Sequence, residues 1–233
     1  MNTHQTRPLA LTIAIAAALT TSHTTLAVSL DDIQLWAGSG NNRAAVVIDW
    51  NSGSNPESFV WGYRWDGTAS GLDMIQAVVA ADPRLHAHFS DFSFGRSLLG
   101  IGYDLNNDGA FTVDPALSFD SSGLAIGSGS ANANDARTAT DSADLYREGW
   151  NSGFWAYYLK SDGSEDWSSA LTGSADRTLL DGAWDGYSFA AAFNSSAPDT
   201  PVVAAIPEPA PLSLLLAGFL TFGLHTRTRR HAR

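Results

Sequence analysis

The densest run of residues able to do chemistry is Asp104-Leu105-Asn106-Asn107-Asp108-Gly109-Ala110-Phe111-Thr112-Val113-Asp114. Side-chain oxygens at Asp104, Asn106 and Asp108, a glycine for the sharp turn, the carbonyl of Ala110 and the carboxylate of Asp114 suit a hard cation. Calcium typically collects about six to eight oxygen ligands from such a loop. An EF-hand would carry a bidentate Glu at the twelfth position. Pro115 stands there instead, and the preceding Leu98 to Tyr103 has the composition of a strand, so a helix-loop-helix is not expected. The expectation is a weak calcium site with Asp104, Asn106, Asp108, Ala110 and Asp114 as ligands. The same residues could also form an Asx-rich turn whose side chains cap their own backbone, and spacing alone does not separate the two readings.

His86 and His88 are two apart, which on a strand puts both rings on one face, with Asp91 as a possible third ligand. Exposed strand histidines are far commoner than metal sites. Trp61, Tyr63 and Trp65 alternate along another run, and Trp155 and Tyr157 repeat the arrangement. Such stripes usually face a core; the alternative is an aromatic platform for sugar rings or another flat ligand, with these five residues as its candidates. No G-x-S-x-G, H-E-x-x-H or Walker lysine loop occurs, and Gly38-Ser39-Gly40-Asn41-Asn42-Arg43 lacks the third glycine of a dinucleotide fingerprint. A pair of carboxylates at glycosidase spacing stays open as an alternative.

Short runs dense in β-branched and aromatic residues must position these groups: Ile33 to Trp36, Ala44 to Trp50, Phe59 to Trp65, Leu85 to Phe94, Leu98 to Tyr103, Phe154 to Leu159 and Tyr187 to Phe193. Two segments read as helices. Ser70 to Ala81 places Leu72, Ile75, Val78 and Val79 at helical spacing and stops at Asp82-Pro83; Asp141 to Glu148 opens on a capping Asp. The expected fold is α+β, mostly β, with antiparallel sheets or a sandwich and one or two short helices. Ser121 to Asn134 has little to bury and reads as a long mobile loop, with two halves of the domain meeting at 121–135. Trp50-Asn51-Ser52-Gly53 recurs as Trp150-Asn151-Ser152-Gly153, each before an aromatic strand and an Asp-Gly pair, so two related hairpin units are conceivable.

The chain has 233 residues and a net charge of −11. Arg7 and four arginines from Arg227 onward sit at the ends, so residues 28–205 hold 23 acids against 8 bases, about −15. That surface repels nucleic-acid phosphates and anionic lipid and attracts cations. Without cysteine there are no disulfides, zinc-thiolate sites or thiol catalysis. Stability falls to packing, with 8 Trp, 11 Phe and 6 Tyr.

Arg7, the apolar run Leu9 to Leu19 and the small residues ending at Ala27 read as a signal peptide over residues 1–27. Residues 195–206, with Pro198 and Pro201, read as a flexible or semi-extended linker. Ala210 to Leu224 is uncharged and followed by Arg227, Arg229, Arg230 and Arg233. At ~1.5 Å per residue it reaches about 22 Å, short of the roughly 30 Å hydrocarbon core, and its arginines would stay cytoplasmic. It would serve as a short transmembrane segment, marginal as a permanent anchor.

Ile206-Pro207-Glu208-Pro209, the apolar run and the arginine-rich tail together resemble the tripartite PEP-CTERM sorting signal, with Ile206 where the family usually has Val. The resemblance covers residues 207–233 and implies a Gram-negative producer of extracellular polysaccharide, cleavage near Pro207, Glu208 and Pro209 by a membrane exosortase, and release or retention at the cell surface. Phe154 to Phe189 loosely resembles secreted modules encoded near cobalt or corrinoid uptake systems. The combined expectation is an exported, non-enzymatic, calcium-stabilised surface or matrix protein that binds extracellular glycan or a small ligand. A secreted polysaccharide hydrolase and a corrinoid-binding module are the alternatives.

Overall fold

The computed structural model describes residues 28–129, 136–161, 164 and 166–207. The signal peptide, Glu208, Pro209, the apolar run 210–224 and the arginine tail lie outside these residues. Strand accounts for 43% and helix for 8%, so the fold is α+β and mostly β. No helix among the described residues is long and apolar enough to cross a membrane.

The strands are β1 (Trp36–Gly38), β2 (Asn42–Asp49), β3 (Ser58–Trp65), β4 (Leu85–Phe92), β5 (Gly95–Tyr103), β6 (Val113–Asp114), β7 (Leu124–Ser128), β8 (Thr138–Ala139), β9 (Leu145–Glu148), β10 (Gly153–Ser161), β11 (Ser168–Ser169), β12 (Ala183–Ala191) and β13 (Val202–Val203). The larger sheet runs β1-β3-β2-β12-β10-β11, with β13 also on β3; the second runs β7-β4-β5-β9, and β6 pairs β8. Pairing is mixed: β1 and β13 lie parallel to β3, β12 to β2, and β7 to β4. The chain on either side of 121–135 supplies strands to both larger sheets.

Ala44 to Ile48 is a continuous apolar run because β2 is covered on both faces. On one face Val46, Ile48 and Trp50 meet Phe59 and Trp61, strands β4 and β5, and the α-helix α1 (Gly71–Ala81). The other face carries Ala45, Val47, Val60 and Trp184 beneath Leu30 and Ile33. Burying Leu30 and Ile33 there moves the first strand to Trp36–Gly38, three residues later than the pattern Ile33 to Trp36 suggests. Ser70 caps α1: its Oγ accepts from Asp73 N at 3.1 Å, while Asp73 Oδ2 accepts from Ser70 N at 2.8 Å. Met74, Ile75, Val78 and Val79 form its buried face, and the helix stops at Asp82 before Pro83.

Three segments depart from expectation. Asp141 to Glu148 is not a helix: turns lead into strand β9, which pairs antiparallel with β5 and buries Leu145, Tyr146 and Glu148. The stretch from Ser121 is not one long loop, since Leu124–Ser128 pairs with β4 and a backbone ladder replaces the missing side-chain burial. Residues 130–135 lie outside the described set. The linker is docked: β13 pairs with β3, Asp199 N donates to Asp49 Oδ2 at 2.7 Å, and Ala205 O accepts from Arg84 Nη2. Arg84 is itself clamped on buried Asp82, which also accepts from Trp61 Nε1.

The two Trp-Asn-Ser-Gly copies do different work. The first closes the β2–β3 hairpin with Asn51 and Gly53 at positive φ; the second crosses from β9 in the smaller sheet to β10 in the larger. Asp162 and Gly163 of the second copy fall outside the described residues.

Candidate functional site

The aromatic stripe on β3 belongs to the core. Trp61 is fully buried against Phe59 and Tyr103, and buried Trp65 stacks on half-buried Tyr63 with ring centroids 5.5 Å apart. None of these three ligand-binding candidates lines the cavity between the two larger sheets. Trp155 and Tyr157 differ. Period-two alternation aims both inward from β10, where with Trp150 they wall a cavity of about 230 Å3 between the two larger sheets.

Polar groups enter this cavity from three other segments: Arg96 and Ser97 on β5, Ser174 on a loop, and Tyr187 on β12. The Tyr187 hydroxyl is buried beside Ser174 and makes no well-formed hydrogen bond. Outward from Trp150 the rings continue: Phe92 stacks on Trp150 at 4.7 Å and on Phe94 at 5.0 Å, both nearly parallel, and Phe94 is 70% exposed. A continuous aromatic ladder thus leads from solvent to the cavity wall. Arg96 is held near it by Asp91 through two bonds of 2.7 and 3.0 Å.

Behind the cavity the Tyr157 hydroxyl donates to Asp185 Oδ2, and Arg177 Nε lies 3.6 Å from Asp185 Oδ1. Gly71 leaves room for this contact, since a Cβ there would stand 2.4 Å from the Tyr157 hydroxyl. Burial pushes Asp185 up to about 6 and carries Tyr157 well above the ordinary phenol range. An unfolded chain ionises Asp near 4, so between pH 4 and 6 the unfolded state sheds a proton that the folded state keeps. Stability from this group is therefore lost as pH rises through that window, by up to about 3 kcal/mol. Thermal melts should show that slope and show it flattened in Asp185→Asn; an unchanged slope in the variant would contradict the assignment.

Among the described residues no carboxylate lines the cavity. Asp185 is engaged behind Tyr157, and Glu148, next to the lining residue Gly149, turns into a buried network. Its Oε1 accepts from Arg137 Nη1 at 2.7 Å and lies 3.2 Å from His88 Nδ1, while Oε2 accepts from the Tyr146 hydroxyl at 2.6 Å. The residues of the histidine-metal reading are engaged separately: His88 partners Glu148, His86 stacks on Phe111 and is pushed down to about 4 by burial, and Asp91 pairs with Arg96. Among the described residues no three His, Asp or Glu side chains form a ready metal cage.

The acidic loop folds largely on itself. Asp104 accepts from Asp108 N at 3.2 Å and Gly109 N at 2.9 Å, Asn106 Oδ1 accepts from Asp108 N at 3.0 Å, and Asp108 Oδ1 accepts from Ala110 N at 2.9 Å. Asn107 and Gly109 take the positive φ these turns need. Asp114 is carried away in β6, exposed and opposite Thr138. Two acids absent from the sequence motif stand closer. Asp141 Oδ2 accepts from Asn106 Nδ2 at 3.0 Å, and Asp144 Oδ1 accepts from Leu105 N at 3.1 Å. Burial, then repulsion from Asp104, raises Asp144 to about 6.

No family model matches the chain, and no curated protein or solved structure is significantly similar to it.

Proposed function

We propose that this chain is an exported surface protein, sorted by its C-terminal signal, whose β-rich domain binds sugar rings of an extracellular glycan without chemically altering them. The observation that carries this reading is the cavity walled by Trp150, Trp155 and Tyr157, with the Tyr187 hydroxyl left without a well-formed hydrogen bond. A pyranose offers a C–H face to stack on an aromatic ring and hydroxyls to pair with Ser97, Ser174 and Tyr187. The exposed Phe94–Phe92–Trp150 ladder extends the platform beyond one ring.

Two rival activities have less support. Hydrolysis needs a carboxyl pair flanking the bond, and none among the described residues lines the cavity. A corrinoid is larger than the drug-sized ligands that fill about 300–1,000 Å3, so about 230 Å3 suits one or two sugar rings better. The acid excess favours neutral glycans over polyanionic ones.

Calorimetric titration with neutral and acidic oligosaccharides tests the reading. Trp150→Ala is expected to weaken binding about tenfold or more, equivalent to at least about 1.4 kcal/mol. Equal affinity in the variant would sink the assignment.

A further inference from the structure

We propose that Asp104, Asn106 and Asp108 form a calcium site with Asp144, which supplies from a second segment the carboxylate that Pro115 denies the loop. The site is separate from the aromatic cavity and does not depend on what binds there. Its distinguishing feature is Asp144, only 8% exposed, whose Oδ2 is buried without a hydrogen-bond partner. Unpaired carboxylate oxygens of that kind are costly unless something positive meets them. The charged groups acting on Asp144 are Asp104, Asp141 and Asp108, all negative, and the Leu105 amide on the other oxygen is the one group there that favours its charge.

The backbone bonds of the loop do not exclude a cation. A carboxylate has about four lone-pair sites, and Asp104 spends two on the amides of Asp108 and Gly109. Asp141 acts as a positioning residue: it holds the Asn106 amide nitrogen and so fixes where Asn106 Oδ1 points. Leu105 N plays the same part for Asp144. The ligands still have to close inward, because the described acids do not stand as a finished cage. That adjustment places affinity in the weak extracellular range, Kd about 10⁻⁴ to 10⁻³ M. Binding would tie the loop after β5 to the turn before β9, two strands already paired.

Calorimetry of the full chain with calcium alone tests the site. One equivalent should bind in that range, and Asp144→Asn should lower affinity at least tenfold while Asp114→Asn leaves it unchanged. Should Asp144→Asn fail to fold, Asp108→Asn and the wild-type titration decide: no saturable calcium heat at millimolar concentration overturns the proposal. Equal loss in Asp114→Asn and Asp144→Asn also overturns it, since that would mean diffuse attraction to an acidic surface.

Discussion

Trp50→Ala is expected to lower the unfolding free energy by about 3–5 kcal/mol, a large part of the stability of an ordinary domain. Trp50 is wholly buried and touches both larger sheets. Its ring packs edge-on against Phe59 and Trp155 at 6.3 and 6.1 Å and lies tilted on Tyr103 at 5.8 Å. Its indole N–H donates to Ile101 O on β5 at 2.9 Å. Truncation opens a void that packed sheets cannot collapse into and strips a buried carbonyl of that donor. Trp155 loses a neighbour as well, so the cavity wall should loosen with the core. Denaturant midpoints at constant m-value measure the effect; a loss below about 1 kcal/mol would show that the two sheets do not meet through this ring.

Glu148→Ala should cost a similar amount, about 3–5 kcal/mol, for an electrostatic reason. Arg137, His88 and the Tyr146 hydroxyl all converge on this one carboxylate, whose side chain is fully buried. Removing it leaves the partly buried Arg137 guanidinium without its carboxylate and the Tyr146 hydroxyl without its acceptor. Glu148→Gln keeps shape and one acceptor oxygen, so it should fall between wild type and Ala. If Gln costs nothing while Ala costs the full amount, the loss comes from packing and the charge is incidental.

Strands with strong local composition were legible in the sequence: β2, β3, β4, β5 and β10 fall where β-branched and aromatic residues cluster, while β12 begins at Ala183, four residues before the expected Tyr187, and ends before Ala192 and Phe193. The α1 helix was legible too, through the Ser70 cap and the Asp82-Pro83 stop. Segments whose structure depends on distant partners were not. Strand β9 carries one aliphatic residue, Leu145, and its alignment is set by β5 and by the Glu148 network, whose His88 and Arg137 lie 60 and 11 residues away. Strand β7 offers little to bury and exists through its ladder with β4. The cavity draws on residues around 96, 150, 174 and 187, so sequence reading found Trp155 and Tyr157 but could not separate them from Trp61, Tyr63 and Trp65. Trp150 carried the only usable signal, as the repeated Trp-Asn-Ser-Gly, and it pointed to a hairpin. The acidic loop showed its own residues, whereas Asp141 and Asp144 sit about 35 positions downstream in a stretch that resembled a helix start.

The indole N–H resonances of the full chain, followed during titration with a neutral oligosaccharide, test the binding reading most directly because eight tryptophans report from known depths. The account predicts saturable shifts at Trp150 and Trp155, with the signals of fully buried Trp61 and Trp184 unmoved. Shifts confined to Trp36 or Trp167, or no shift at millimolar sugar across neutral and acidic glycans, would contradict it.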